Sequence, residues 1–164
     1  MVSTVESFVP KYEKDLKCDA NTDPDPQIVV SQHGTYLRAY GNGGKGDGTV
    51  DQAPEPKGYE QWVVQKMDDA RFVDGTGKVA LFNIWHGLYL RGGGESGSTA
   101  EVDMVPWIQS HELWEMVKEK DGKVRFKHVE TGKYLRAMKD SKEMNLSTYE
   151  GSWELWQIRT GKDY

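Results

Sequence analysis

A pattern that occurs three times constrains the fold of this 164-residue chain more than any other feature. Each copy contains a Tyr-Leu-Arg segment and, further along, a Glu-x-Trp segment. The tyrosines are Tyr36, Tyr89 and Tyr134, and the tryptophans are Trp62, Trp114 and Trp156. Successive tyrosines are 53 and 45 residues apart, and successive tryptophans are 52 and 42 residues apart. Because both spacings shorten together, we interpret the repeats as whole structural units.

Each repeat is predicted to form four short strands. The first strands are predicted at 28–31, 79–82 and 124–127, and a glycine in the following turn supplies the positive φ that a hairpin needs. The second strands carry the Tyr-Leu-Arg segments, and the fourth carry the tryptophans. The third strands are predicted at 49–51, 100–104 and 143–146. Twelve strands in three groups of four predict an all-β chain with the architecture of a single β-trefoil.

The repeats predict one β-trefoil domain over residues 27–164, divided at about 27–73, 74–120 and 121–164. Residues 1–26 form a polar N-terminal extension that we expect to lie on the surface or to be partly disordered. Alternation along the second strands directs one leucine of each repeat and its tryptophan to the core, and directs Tyr and Arg outward. These leucines are Leu37, Leu90 and Leu135. A buried indole N–H needs a hydrogen-bond partner, which the sequence does not identify.

Charge and cysteine content limit the compartment and the partners. The chain has 21 Lys and Arg against 26 Asp and Glu, a formal net charge of -5, which argues against general affinity for nucleic acid or anionic membranes. Cys18 is the one cysteine, so no intramolecular disulfide can form, which fits a reducing compartment. The N-terminus lacks the pattern of a signal peptide, and no apolar run approaches the length of a membrane span. We therefore expect a cytoplasmic protein without membrane insertion, with unconventional release left open.

The second and third repeats resemble β-trefoils of the fascin and hisactophilin type. The similar segments are 77–82, 87–90, 102–107, 112–114, 122–126 and 131–135. The resemblance covers roughly residues 27–160 and implies the β-trefoil fold. It also implies filamentous actin as one possible partner.

A second resemblance is to the ricin-type trefoil lectins, which close each repeat on a Gln-x-Trp strand. Here a glutamate replaces that glutamine, at Glu60, Glu112 and Glu154. Arginine stands where that family has its sugar-binding aspartate. The resemblance implies a glycan-binding module whose chemistry differs from ricin-type galactose binding.

The arginine that follows each core leucine is the first candidate binding group. Beside an outward tyrosine it could stack on the ring and bind a carboxylate, sulfate or phosphate; alternatively it could pair with the repeated glutamate. The loops after these strands, and nearby aromatic residues, could bind sugar or be solvated loops. The full set of candidate ligand-binding residues is Arg38, Tyr40, Asn42, Asp47, Arg91, Trp107, Arg136, Tyr149 and Trp153.

No motif predicts catalysis, a cofactor or a metal site. The four histidines lack metal-ligand spacing, and His33 and His86 are expected to be exposed turn residues. The glycine-rich loops lack the Gly-Lys-Ser/Thr ending of a phosphate-binding loop. The sequence therefore predicts a non-catalytic binding module for glycans or glycoproteins. The alternatives are a fascin-like actin-binding protein and, less favoured, a trefoil protease inhibitor.

Overall fold

A computed structural model describes residues 16–18, 26–40, 49–69, 78–93 and 101–160. Its strands in these ranges are β1 Leu16–Cys18, β2 Gln27–Ser31, β3 Tyr36–Tyr40, β4 Thr49–Ala53, β5 Trp62–Asp69, β6 Lys78–Asn83, β7 Leu88–Gly92, β8 Val102–Val105, β9 Trp114–Lys118, β10 Val124–His128, β11 Tyr134–Ala137, β12 Met144–Ser147 and β13 Trp156–Thr160. Short 3-10 turns lie at Gly58–Glu60, Ser110–Glu112, Lys120–Gly122 and Ser152–Glu154. The described residues contain no α-helix.

Six strands close into a barrel, and three hairpins cover one end of it. Around the ring the order is β5, β2, β13, β10, β9 and β6, and β6 pairs with β5 to complete it. These are the first and fourth strands of the three repeats. The second and third strands form the hairpins β3–β4, β7–β8 and β11–β12. The chain is therefore an all-β β-trefoil, as the repeats predicted.

The strand β1 lies in the N-terminal extension and pairs antiparallel with the end of β5, where Leu16 faces Asp69 and Cys18 faces Met67. Part of the extension thus lies along the sheet. The boundary at residue 26 and the limits of the three repeats stay predictions.

The core repeats one arrangement three times. The predicted leucines of β3, β7 and β11 are fully buried, as are the tryptophans that open β5, β9 and β13. Each indole N–H donates to the carbonyl of the leucine in its own repeat: Trp62 to Leu37 at 2.9 Å, Trp114 to Leu90 at 3.1 Å, and Trp156 to Leu135 at 3.0 Å. This bond supplies the partner that the sequence did not identify, and it ties the fourth strand of each repeat to the second.

The outer side of the barrel differs between repeats. In repeat two Tyr89 is buried in a second cluster with Met67, Ala80, Ile108 and Leu113, whereas Tyr36 and Tyr134 are half-buried. The prediction that every Tyr-Arg face points outward therefore needs correction for repeat two, because the segment after β8 packs over it.

Candidate functional site

The three arginines bind the third strand of their own repeat. Strand register places each opposite an acidic or amide side chain. Arg38 makes a two-pronged bond with Asp51 (2.7 and 2.8 Å), and Arg91 makes the same bond with Asp103 (2.8 and 2.6 Å). In repeat three the partner is neutral: Arg136 Nε donates to Asn145 Oδ1 at 2.9 Å.

The repeated glutamate has a different principal role from the one expected. Glu60, Glu112 and Glu154 are buried, and each accepts a backbone N–H three residues earlier, from Lys57, Gln109 and Gly151 at 2.6, 2.5 and 2.8 Å. The arginines Arg38 and Arg136 stand 3.9 Å from their glutamates, which is ion-pair range but beyond a hydrogen bond. Burial raises the pKa of Glu60, while its backbone bond and Arg38 oppose that rise. The glutamates therefore mainly stabilise the 3-10 turns, and their electrostatic interaction with the arginines is secondary.

Two histidines join neighbouring repeats. Nε2 of His33 donates to the carbonyl of Ala137, and Nε2 of His86 donates to that of Ala39, each at 2.9 Å. Both rings are half-buried. The expectation of exposed turn residues is thus wrong for both, because the turn between the first and second strands of repeats one and two packs against the second strand of the neighbouring repeat.

The junction of repeats two and three is held by a different set of hydrogen bonds. His128, at the end of β10, is fully buried, with Nε2 donating to the carbonyl of His111 at 2.9 Å and Nδ1 accepting from the Thr131 hydroxyl at 2.8 Å. Its ring occupies the space beside Gly92, where the other repeats have Ala39 and Ala137. Burial lowers the pKa of His128, since the charged ring would lose its hydration.

Exposed aromatic residues cluster where repeats one and two meet. Trp85 is 64% exposed in the turn between β6 and β7, and Ile84 beside it is 41% exposed. The Trp85 ring stands edge-on to Tyr59 with centroids 5.4 Å apart, and Tyr59 also contacts His86 at 4.9 Å. A Cβ at Gly58 would come within 2.8 Å of the indole, so the absent side chain lets the ring lie against the backbone. We call Tyr59, Ile84, Trp85 and His86 the aromatic platform.

A polar cleft lies where repeats three and one meet. It has a volume of about 480 Å³ and lies between the β2–β3 turn (Gln32, His33 and Thr35), Gln52, and the loop 138–141 between β11 and β12. Trp153 stands edge-on to His33, with centroids 5.4 Å apart. We call this space the polar cleft.

The structure places the predicted binding residues in different parts of the fold. Tyr149 is 70% exposed, Trp107 is half-buried, and half-buried Trp153 adjoins the polar cleft through His33. Tyr40 ends β3, and its side chain lies outside the described part of the structure, as do Asn42 and Asp47 entirely. The described candidates do not converge on one site, and the binding role of all nine residues stays a prediction.

Sequence reasoning missed the platform residues Tyr59, Ile84 and Trp85. The available signal was the comparison of turns between repeats. Between the paired residues of the first and second strands, repeats two and three each have six residues, which places Trp85 in line with Glu130. An indole in a turn that elsewhere takes a charged residue is not required by the fold.

Among the described residues, no group of three or more His, Cys, Asp or Glu side chains is arranged to hold a metal ion. No helix within the described ranges has the length and apolar character to cross a membrane.

Comparison with known proteins supports the fold through structure alone. No family model matches the chain, and no curated protein matches its sequence. Among solved structures, the designed threefold-symmetric protein ThreeFoil is similar at 17% identity and a TM-score of 0.67, over 82% of this chain and 97% of ThreeFoil. SeviL, solved bound to the asialo-GM1 saccharide, is similar at 16% identity and a TM-score of 0.65, over 84% of this chain and 98% of SeviL.

A third similar structure is a salivary protein from Culex quiquefasciatus of the Cysteine and Tryptophan-Rich family. Its identity is 15% and its TM-score 0.66, over 87% of this chain and 98% of the salivary protein. Identities this low establish the shared β-trefoil fold and nothing finer. The fascin-like type, with filamentous actin as a partner, therefore remains a prediction.

Proposed function

We propose that this protein is a non-catalytic, lectin-like module that binds glycans through the aromatic platform. The observation that carries the proposal is the exposure of Trp85 on a turn where repeat three has Glu130. Trp85 forms one exposed patch with Ile84 and Tyr59, and contiguous exposed apolar patches mark interaction or ligand-binding sites. A flat indole offers an apolar face to the C–H face of a sugar ring.

The surroundings of Trp85 favour a fixed binding surface over a mobile side chain. The indole lies against Gly58 and Tyr59, and Tyr59 lies against His86, whose Nε2 is bonded to Ala39. Such contacts restrict the ring before a ligand arrives, which reduces the entropy lost on binding. Lys57 and Glu55, both largely exposed, precede this segment in the chain and can supply polar contacts at its rim.

The glycan-bound neighbour SeviL shows that a protein of this fold can hold a saccharide. Neither actin binding nor protease inhibition has a specific observation in the described residues that favours it.

A glycan array followed by titration calorimetry tests the proposal, with Trp85→Ala, Trp85→Phe and Glu130→Ala as variants. Truncating a tryptophan that anchors binding costs about 2 kcal/mol or more. We therefore expect Trp85→Ala to weaken the best array hit by more than about ten-fold, the factor that 1.4 kcal/mol produces. Trp85→Phe should retain part of the affinity.

The variant Glu130→Ala is the matched control, because exposed Glu130 holds the same turn position in repeat three that Trp85 holds in repeat two. It should bind like the parent protein. Absence of any hit among neutral, acidic and sulfated glycans would refute the function. A hit that survives Trp85→Ala unchanged would refute the platform as its site.

A further inference from the structure

We propose that the polar cleft is a second saccharide site, one that takes a neutral, hydroxyl-rich sugar unit through Asp140. This inference rests on the proposed glycan-binding function but uses none of the platform residues. A protein with both sites would bind two sugar units at two different repeat junctions.

The cleft opens where the first repeat is one residue shorter than the others. Five residues separate the paired Val30 and Tyr36 of repeat one, whereas six separate Phe82 from Tyr89 in repeat two. The β2–β3 turn of repeat one therefore has one residue fewer than the β6–β7 turn, which carries the platform. The space of about 480 Å³ lies within the range of pockets that hold small ligands, roughly 300–1,000 Å³.

Hydrogen bonds fix both walls of the cleft. The amide of Gln52, a side chain only 3% exposed, donates to the carbonyls of Met138 and Glu143 at 2.9 and 2.8 Å, and its oxygen accepts from the Thr35 hydroxyl at 2.5 Å. In the same turn as Thr35, His33 donates a hydrogen bond to the carbonyl of Ala137 in repeat three. One buried glutamine thus connects the turn of repeat one to the loop of repeat three, so the cleft exists in a set shape before a ligand binds.

The loop holds Asp140 in an unusual backbone conformation at the cleft. Its φ is +61°, in the left-handed region that, among residues with a side chain, Asp and Asn adopt most readily. A bond from the Met138 N–H to the Glu143 carbonyl closes the loop at 3.1 Å. The turn leaves the Asp140 carboxylate exposed in the lining of the cleft.

The groups around Asp140 suit hydroxyls better than an ion. Lys139 and Asp140 carry opposite charges side by side, and Gln32, Thr35 and Ser141 add amide and hydroxyl groups. A carboxylate can accept from two neighbouring hydroxyl groups at once, while amides and a lysine donate to their oxygens. Such a balanced lining would reject a strongly charged ligand, because no excess charge compensates for its lost hydration. A neutral sugar ring with adjacent hydroxyls satisfies it.

Site-resolved titration separates this inference from the proposed function. Backbone amide spectra of the full chain would be recorded with increasing methyl glycosides of galactose, N-acetylgalactosamine, mannose and fucose. We expect saturable shifts at 32–35 and 139–141. Shifts confined to 84–86 would overturn the second site and leave the platform standing. Shifts confined to the cleft would support the second site and count against the platform, and no shifts anywhere would overturn both.

Three variants test the role assigned to Asp140. Asp140→Asn tolerates the same φ but loses the charge. We expect its affinity at the cleft to fall by about ten-fold or more, since a hydrogen bond to a charged group is worth roughly that factor. Asp121→Asn is the control, because Asp121 has φ +63° in the turn before β10, outside the cleft lining. It should bind like the parent.

The third variant, Asp140→Gly, distinguishes a binding role from a structural one. It removes the carboxylate and relieves the strain, so we expect an unchanged or higher Tm together with lost cleft binding. A lower Tm with unchanged binding would overturn the proposal, as would unaltered binding by Asp140→Asn.

Discussion

Substituting alanine at Gly92 should destabilise the protein, although alanine occupies the equivalent position in both other repeats. A Cβ at Gly92 would lie 2.7 Å from Cδ2 of His128, 2.9 Å from its Nε2 and 3.0 Å from Cη2 of Trp114. Carbon atoms in contact normally stand about 3.5–4.0 Å apart. The ring cannot retreat, because His111 and Thr131 hold both of its nitrogens and the Trp114 ring lies 4.9 Å from it.

The magnitude follows from this overlap. Overpacking a filled core site costs about 1–3 kcal/mol. Alanine also restricts the backbone of the unfolded chain, which stabilises a protein by about 0.4–1 kcal/mol where the side chain fits without strain. At Gly92 it does not fit, so we expect a net loss of stability. At roughly 2–4 °C per kcal/mol for a chain of this size, Gly92→Ala should lower Tm by about 2–12 °C.

A double-mutant cycle tests the reason as well as the result. His128 lies in line with Asn83, whose amide donates to the Tyr59 carbonyl at 2.9 Å at the preceding junction. Gly92→Ala combined with His128→Asn therefore rebuilds the Ala39–Asn83 combination one junction further on. Urea unfolding of the parent, both single variants and the double variant should give a favourable coupling of about 0.5–3 kcal/mol. Additive effects, or a Gly92→Ala variant as stable as the parent, would refute the steric argument.

Three further predictions concern the remaining contacts. Trp114→Phe should lower the free energy of unfolding by about 1–3 kcal/mol in urea titration, because the buried Leu90 carbonyl loses its donor; an unchanged midpoint would contradict this. Because the pKa of His128 is lowered in the folded protein, the unfolded chain binds more protons at this residue between the folded pKa and about 6.5. The free energy of unfolding should therefore fall as pH drops below about 6.5, and His128→Asn should reduce this dependence on pH. Asp103→Ala should cost about 1.5–3 kcal/mol by removing the two-pronged bond from the largely buried Arg91. Lys57→Ala, at an exposed pair, should change stability by less than about 1 kcal/mol, and equal effects would contradict the reasoning.

The repeats made the fold predictable from sequence, because short-range alternation determines which side of a strand faces the core. Leu37 and Trp62 are buried together as that alternation requires. The bond between them joins residues 25 positions apart, and its geometry depends on how the hairpin lies over the barrel. Alternation carries no information about that orientation, so the indole partner could not be inferred.

The candidate site was less predictable, since it depends on register and on turns. Arg38 meets Asp51 because of the pairing of β3 with β4, and the intervening loop differs in length between repeats. The exposure of Trp85 could not be predicted, because a residue in a turn has no periodic pattern that distinguishes an exposed ring from a packed one. Its position against Tyr59 is set by the docking of repeat two on repeat one, which no local pattern describes.

The pairing of β13 with β2 brings Thr160 opposite Gln27. Facing residues in an antiparallel pair are about 5 Å apart, so a peptide of a few residues could join them once residues 1–26 and 161–164 are removed. The chain could then be opened at the turn between β9 and β10, giving a circularly permuted protein that begins with repeat three. The order in which the repeats are synthesised would change, but the neighbours of each repeat around the ring would stay the same.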